Sequence, residues 1–438
     1  MKNTSEITSG KGLLALSPII VFLILYVVVS LIIGDFYKMP ISVALVVASV
    51  WAILIMRGKP LNKRIEIFSR AAGHSNILYM IWIFILAGAF SSLAVYIGAV
   101  DATVSLALKA FPPEYVVPML FFASCFISLS IGTSVGTVVA LTPLASSLAT
   151  ASGGLVPFYV AAVLGGAFFG DNLSFISDTT IAATRSQECN MSDKFKANLW
   201  IALPAAVVTL CFYIFTEIQT PHSIEMPKEA PWALVIPYLT VIATAIAGIN
   251  VTIVLTLGIG SALILGSIYG YGILDMAESA GKGIDGMGSL IIITLLAAGM
   301  LGVIKEAGGI SFLLRVMTKG VNGVRGGQSV IACLVAIVNL CTANNTVAII
   351  TVGGISRDIS RRFGIDPRKT ASLLDSTSCV VQCLIPYGAQ TLLATSLAGI
   401  SPASTFPYLY YPWALALMII LSIIFLFPRR LNRKLTAN

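Results

Sequence analysis

The chain has 438 residues, of which 57% are hydrophobic and only 11% charged, with a mean hydropathy of +0.93. Soluble domains carry roughly 25% charged residues, so a soluble globular protein is excluded. Many apolar runs near 20 residues point instead to an all-α polytopic membrane protein. The net charge of +8 would suggest a nucleic-acid partner in a soluble protein; its placement here argues for no nucleic acid.

In chain order, spans are predicted at about 13–33, 41–56, 77–97, 155–185 (broken), 197–217, 231–249, 251–269, 289–305, 370–398 (broken) and 408–427. The first run follows Lys2 and Lys11 like a signal peptide. It is too long for a signal core and lacks a small-x-small cleavage site, so it reads as a span. Two further apolar stretches, 116–151 and 328–356, are interrupted by polar residues. The first carries Thr133, Ser134, Gly136 and Thr137; the second carries Thr342, Asn344, Asn345 and Thr346. Each reads as a re-entrant hairpin or as two spans joined by a tight turn.

Charge arbitrates. With the N-terminus inside and both stretches as hairpins, the inner segments are 57–76, 186–196, 306–327, 357–369 and the C-terminal tail. Every arginine then lies inside, and of the 27 basic residues only Lys38, Lys109, Lys228 and Lys282 lie outside. That bias is the positive-inside pattern, with both termini cytoplasmic in a bacterial-type cytoplasmic membrane. Segments 101–111 and 310–319 look amphipathic and are expected on opposite membrane surfaces.

A shift of about 211 residues superposes the chain on itself in part. Ala87-Gly88-Ala89 meets Ala298-Gly299-Met300, Gly98 meets Gly309, and Thr180–Thr184 meets Thr391–Thr395. The tip at Thr133–Val138 meets Thr342–Val347 with a two-residue slip. The expected organisation is a first repeat over 1–217, a linker over 218–230 and a second repeat over 231–438. Each repeat holds five spans plus one hairpin. Five is odd, so the repeats insert in opposite senses, the inverted architecture of secondary transporters with broken helices at the midplane.

Four polar clusters converge in that arrangement: the two tips and the two helix breaks. The first break spans Asp171–Thr180; the second holds Gln382, Pro386, Gly388, Gln390 and Thr391. Hydroxyls, amides and carboxylates make an all-oxygen environment suited to sodium, lithium or a proton. Of the 19 acids, only Asp171, Asp178 and Asp375 fall inside predicted spans rather than in loops or at span ends, and a charge is rarely placed there without a role. Plainer readings exist. Membrane Ser and Thr often bond only their own backbone, Gly165-Gly166 can serve close packing, and Asp375 can pair near the surface with Arg368 or Lys369. His74 and His222 sit at span boundaries, and most of the seven cysteines read as small buried hydrophobes with no metal site.

The run Gly170-Asp171-Asn172-Leu-Ser174-Phe-Ile-Ser177-Asp178-Thr179-Thr180, with Gly132-Thr133-Ser134-Val-Gly136-Thr137 upstream, resembles the NhaC-type sodium/proton antiporter family of the ion transporter superfamily. The resemblance implies exchange of sodium or lithium ions for protons, with no ATP and no organic cofactor. It implies Asp171 and Asp178 as the ion- and proton-handling carboxylates, supported by Asn172, Ser174, Ser177 and Thr179, with Thr180 at the end of the motif. The chain departs from the pattern at Phe175, where proline is expected, and at Val135, where an aromatic residue is expected. The second departure opens room for a larger solute. The partners expected are these ions and the lipid bilayer, with a homodimer allowed. The alternative on the same scaffold is a sodium- or proton-coupled exchanger of a small carboxylate or amino acid. An intramembrane aspartyl protease would want Gly-x-Gly-Asp, and Phe168 breaks that signature, so the chain is not expected to be an enzyme.

Overall fold

The computed structural model describes residues 9–28, 40–56, 58–110, 112, 115–174, 177–218, 231–247, 249–317 and 322–428. Among them there is no strand. The expected linker, 218–230, and Phe175 lie outside the described residues, apart from Ile218.

The first half runs α1 (Ser9–Leu23), α2 (Ile41–Ile55), α3 (Leu61–Ala72), α4 (Ser75–Tyr96), α5 (Ala99–Ala110), α6 (Val116–Ile131), α7 (Ser134–Ser152), α8 (Val156–Leu173), α9 (Asp178–Gln187) and α10 (Met191–Ile218). The second runs α11 (Ile236–Ile246), α12 (Val251–Ile268), α13 (Ile273–Gly286), α14 (Gly288–Glu306), α15 (Gly309–Met317), α16 (Gly323–Thr342), α17 (Asn345–Phe363), α18 (Pro367–Leu384), α19 (Ala389–Ala398) and α20 (Tyr410–Ile424). Among the described residues, eight helical stretches are long and apolar enough to cross a membrane, or nine if Pro402–Tyr408 and α20 form one bent span. The segments at 10–26, 41–55 and 232–244 are apolar but shorter.

Three successive helices keep one spacing at both ends. Helices α7, α8 and α9 start at 134, 156 and 178; α17, α18 and α19 start at 345, 367 and 389, each 211 residues on, with equal lengths. The turns between them match as well. Gly132 (φ 72°) and Ala343 (φ 46°) are both left-handed, and the next residues, Thr133 (φ −147°) and Asn344 (φ −149°), are both extended. The slip expected at the tips is therefore absent: Thr133 corresponds to Asn344 and Ser134 to Asn345. Matching of residue types misaligned them because Thr133 and Thr137 have the same spacing as Thr342 and Thr346.

The segments expected as plain loops at 57–76 and 270–288 hold α3 and α13. Both are amphipathic, and they pack crosswise: α3 on α14 of the other half, α13 on α4. Helices α1–α4 and α12–α14 form one bundle, while α6–α10 and α16–α20 form another. Packing in the second bundle is close because glycine permits it. A Cβ on Gly170 would lie 2.3 Å from that of Ser128. Ser124 and Ser128 of α6 donate to the Val163 and Ala167 carbonyls, each at 2.6 Å. These contacts fix the depth of α8, and with it Asp171.

Candidate ion-binding site

Both broken helices stop for visible reasons. In the first, the Ser174 N–H still reaches the Gly170 carbonyl at 2.7 Å, but Ser174 itself turns extended. Ser177 then caps α9, its Oγ accepting from the Thr180 N–H at 3.3 Å. The second break turns extended at Ile385 and again at Gly388, with Pro386 between them unable to donate a helical hydrogen bond. Lipid could not satisfy backbone groups freed at such depth. Here each break faces a hairpin tip of the same bundle.

The groups that converge form a directed chain. Gln382 Nε2 donates to Gln390 Oε1 at 3.0 Å, Gln390 Nε2 donates to Ser134 Oγ at 3.0 Å, and the Ser134 hydroxyl donates to Asp171 Oδ2 at 2.8 Å. Asn345 Nδ2 reaches the same carboxylate oxygen at 3.4 Å. Both tips and both breaks thus contribute. Asp171 is 5% exposed, and among the described residues it forms no ion pair. A cavity of about 190 Å³ opens beside it, lined by Thr133, Val135, Asp178, Asn344, Thr346 and Gln382 among others. Gln382 Oε1 is buried with no hydrogen-bond partner among the described residues, a free acceptor on a residue that lines the same cavity as Asp171. Sequence reasoning missed Tyr79, Met80 and Ile83 of α4, which close one wall.

Other expected residues divide. Asp178 is exposed at the cavity wall rather than buried with Asp171. Ser177 and Thr179 hold the break itself: both hydroxyls donate to the Asp171 carbonyl, at 2.8 and 3.4 Å. Ser174 donates to the Leu129 carbonyl at 3.0 Å, and Thr137 to the Thr133 carbonyl at 3.2 Å. Thr342 donates to the Asn344 carbonyl, and Asn344 caps α17 by accepting from the Val347 N–H. Gly136 is buried inside α7. Thr391 donates to the Cys383 carbonyl across the second break at 3.5 Å.

Asn172 and Thr180 turn the opposite way, into a second, buried cluster. Its centre is an ion pair between Lys194 and Asp375, 1% and 0% exposed. Lys194 Nζ also donates to the Asn172 carbonyl at 2.6 Å and to Thr180 Oγ1 at 2.7 Å. Asn198 Nδ2 donates to Asn172 Oδ1 at 2.6 Å and to Asp375 Oδ2 at 3.3 Å, and Ser376 donates to Asn172 Oδ1 at 3.1 Å. Asp375 is therefore not a surface partner of Arg368 or Lys369. Arg368 grips Asp366 with two hydrogen bonds, at 2.9 and 2.7 Å, and Lys369 donates to Ser422 Oγ and the Phe427 carbonyl. In the sequence Lys194 falls within the inner segment 186–196, because the apolar run begins after it. The available signal was Lys194 and Asn198 at i, i+4, two polar residues on one face of a membrane helix.

A second crevice, of about 250 Å³, is lined by Tyr26, Ser42, Ser289, Leu290, Thr395 and Ser401 among others. Helix α19 reaches both spaces: Ala389 and Gln390 line the first, Leu392, Thr395 and Ser396 the second. No group of three or more His, Cys, Asp or Glu suited to a metal ion occurs among the described residues.

The model of the Na+/H+ antiporter family matches residues 6–218 and 224–428. A relative from Bacillus subtilis, named Na(+)/H(+) antiporter NhaC, is 25% identical over 77% of this chain and 81% of its own. Another B. subtilis relative, named malate-2H(+)/Na(+)-lactate antiporter, is 23% identical over 94% of each chain. A Halobacterium salinarum relative, named arginine/ornithine antiporter ArcD, is 22% identical over 69% of this chain and 70% of its own.

Proposed function

The chain belongs to the Na+/H+ antiporter family, and from that premise we propose that it exchanges sodium or lithium for protons by alternating access, with Asp171 holding either cargo. The carrying observation is a buried carboxylate that receives hydrogen bonds from both halves yet pairs with no cation among the described residues. Burying an unpaired charge costs several kcal/mol. Either a proton or a sodium ion relieves that cost, and one carboxylate cannot hold both. Mutually exclusive occupancy, coupled to exposure on alternate sides, is sufficient for exchange with no organic cofactor. The two repeats insert inversely with 116–151 and 328–356 as re-entrant hairpins, and both termini are cytoplasmic in this reading. The basic segment before α4 then puts the Asp171 cavity on the cytoplasmic side and the second crevice on the outer side. Asp178, at the cavity wall, attracts cations toward the site.

A second reading is favoured by the size of the cavity. About 190 Å³ exceeds what a bare sodium ion needs. The starts of α7 and α19 border it without side-chain caps, and uncapped helix N-termini favour anionic groups. Exchange of a small carboxylate or amino acid against sodium or protons would use the same machinery. Reconstitution into vesicles holding a pH-sensitive dye separates the two. A sodium pulse is expected to move protons; silence to sodium, with uptake of labelled malate, lactate or arginine, would replace the first reading by the second.

A further inference from the structure

The Lys194 ammonium has the surroundings of a bound alkali cation. Its three partners are a peptide carbonyl (Asn172), a hydroxyl (Thr180) and a carboxylate (Asp375), drawn from α8, α9 and α18. All are oxygens, the set a hard cation prefers. The ammonium is fully enclosed, and Asn198, Thr179 and the Cys379 thiol also contact the Asp375 carboxylate. Positions 211 residues away hold Thr405 for Lys194, Leu164 for Asp375 and Cys383 for Asn172. The second half therefore has no equivalent cluster. Asn172 directly follows Asp171, so the cluster shares its backbone with the cargo site.

We propose that Lys194 is a tethered cation filling an oxygen-lined cation site made by Asn172, Thr180 and Asp375, and that it keeps Asp375 from carrying cargo. A fixed ammonium neutralises Asp375 in every state of the cycle. It also staples the end of α8 and the start of α9 to α18, so the break keeps its shape whether Asp171 holds a proton or a metal ion. Of the two buried carboxylates, only Asp171 then exchanges its counter-ion. Lys194 is on this view a positioning residue that sets how many cations bind, and the inference rests on the exchange reading for its role but not for its test.

Equilibrium radiosodium binding to the purified full chain provides that test. Lys194→Ala removes the tether and opens its oxygen shell, and is expected to bind one more sodium per chain than K194A/D375N. The comparison is made in wild-type and Asp171→Asn backgrounds. In the second background the cargo site is silent, so the extra sodium is counted even if the exchange reading fails. Equal binding by the two variants overturns the proposal. Should Lys194→Ala be too unstable for binding assays, its melting midpoint is followed in choline, sodium and methylammonium buffers. In the Asp171→Asn background, where the cargo site cannot bind sodium, sodium or methylammonium is expected to raise the midpoint of Lys194→Ala and not that of K194A/D375N. A midpoint that ignores all three cations overturns the proposal, because a lysine that only fills space would not be replaced by a small free cation.

Discussion

Asp171 and Asp375 are both buried carboxylates in the same helical bundle, and they differ in one respect. Asp375 has its cation built in, the Lys194 ammonium. Asp171 has only neutral donors, Ser134 and Asn345, and a cavity. Burial alone therefore does not mark a cargo site. A carboxylate whose charge the chain already balances has little to gain from a sodium ion, whereas one held by neutral donors at an open cavity does. The neutral donors matter too: they orient the carboxylate without competing for its charge.

The largest effect should come from abolishing that difference at Asp171. Asp171→Asn keeps the shape and removes the charge, and dye-reported proton movement on a sodium pulse is expected to fall at least about 100-fold, the scale of losing a buried charge-assisted contact of roughly 3 kcal/mol. Wild-type rates in this variant would break the comparison outright. Asp375→Asn should act on the other side of it. It strands the Lys194 ammonium, and breaking a buried pair costs about 3–5 kcal/mol. A lowered melting midpoint and poor recovery of folded protein are expected there, whereas Asp171→Asn is expected to fold well. A smaller effect is expected from Gln390→Leu, which deletes the donor to Ser134 and loosens the chain leading to Asp171. Loss of one such bond, about 1 kcal/mol, should weaken apparent sodium affinity by roughly fivefold without changing the maximal rate. Asp178→Asn is expected to do least, about a twofold loss in apparent affinity that disappears at high ionic strength, since exposed charges are screened. An Asp178 variant as inactive as Asp171→Asn would mean that the two carboxylates form one site.

Much of this was legible in the residues. The 211-residue repeat follows from Gly98 and Gly309 and from the Thr180 and Thr391 runs. The breaks could be located because the Ser174–Ser177 run, Pro386 and Gly388 are poor helix residues within apolar surroundings, whereas Gly170 stays inside α8 and serves packing against Ser128. The tips could be located but not aligned, because Ala343 takes a left-handed conformation that a non-glycine residue rarely announces. The functional split within one motif was not legible at all. Asp171, Asn172, Asp178 and Thr180 look alike as polar residues in a run, yet Asp171 and Asp178 face the cavity while Asn172 and Thr180 face Lys194.

The sequence by itself determined a helical membrane protein, the positions of its polar interruptions, and which of them carries carboxylates. Those follow from local composition, since apolar length sets spans and polar residues interrupt them. Only the tertiary structure decided which acid is already paired. Lys194 lies 181 positions before Asp375 in sequence, and its long aliphatic stem carries the ammonium into the bundle. No local pattern encodes where such a side chain ends, because its partner is brought to it by the packing of α10 against α18.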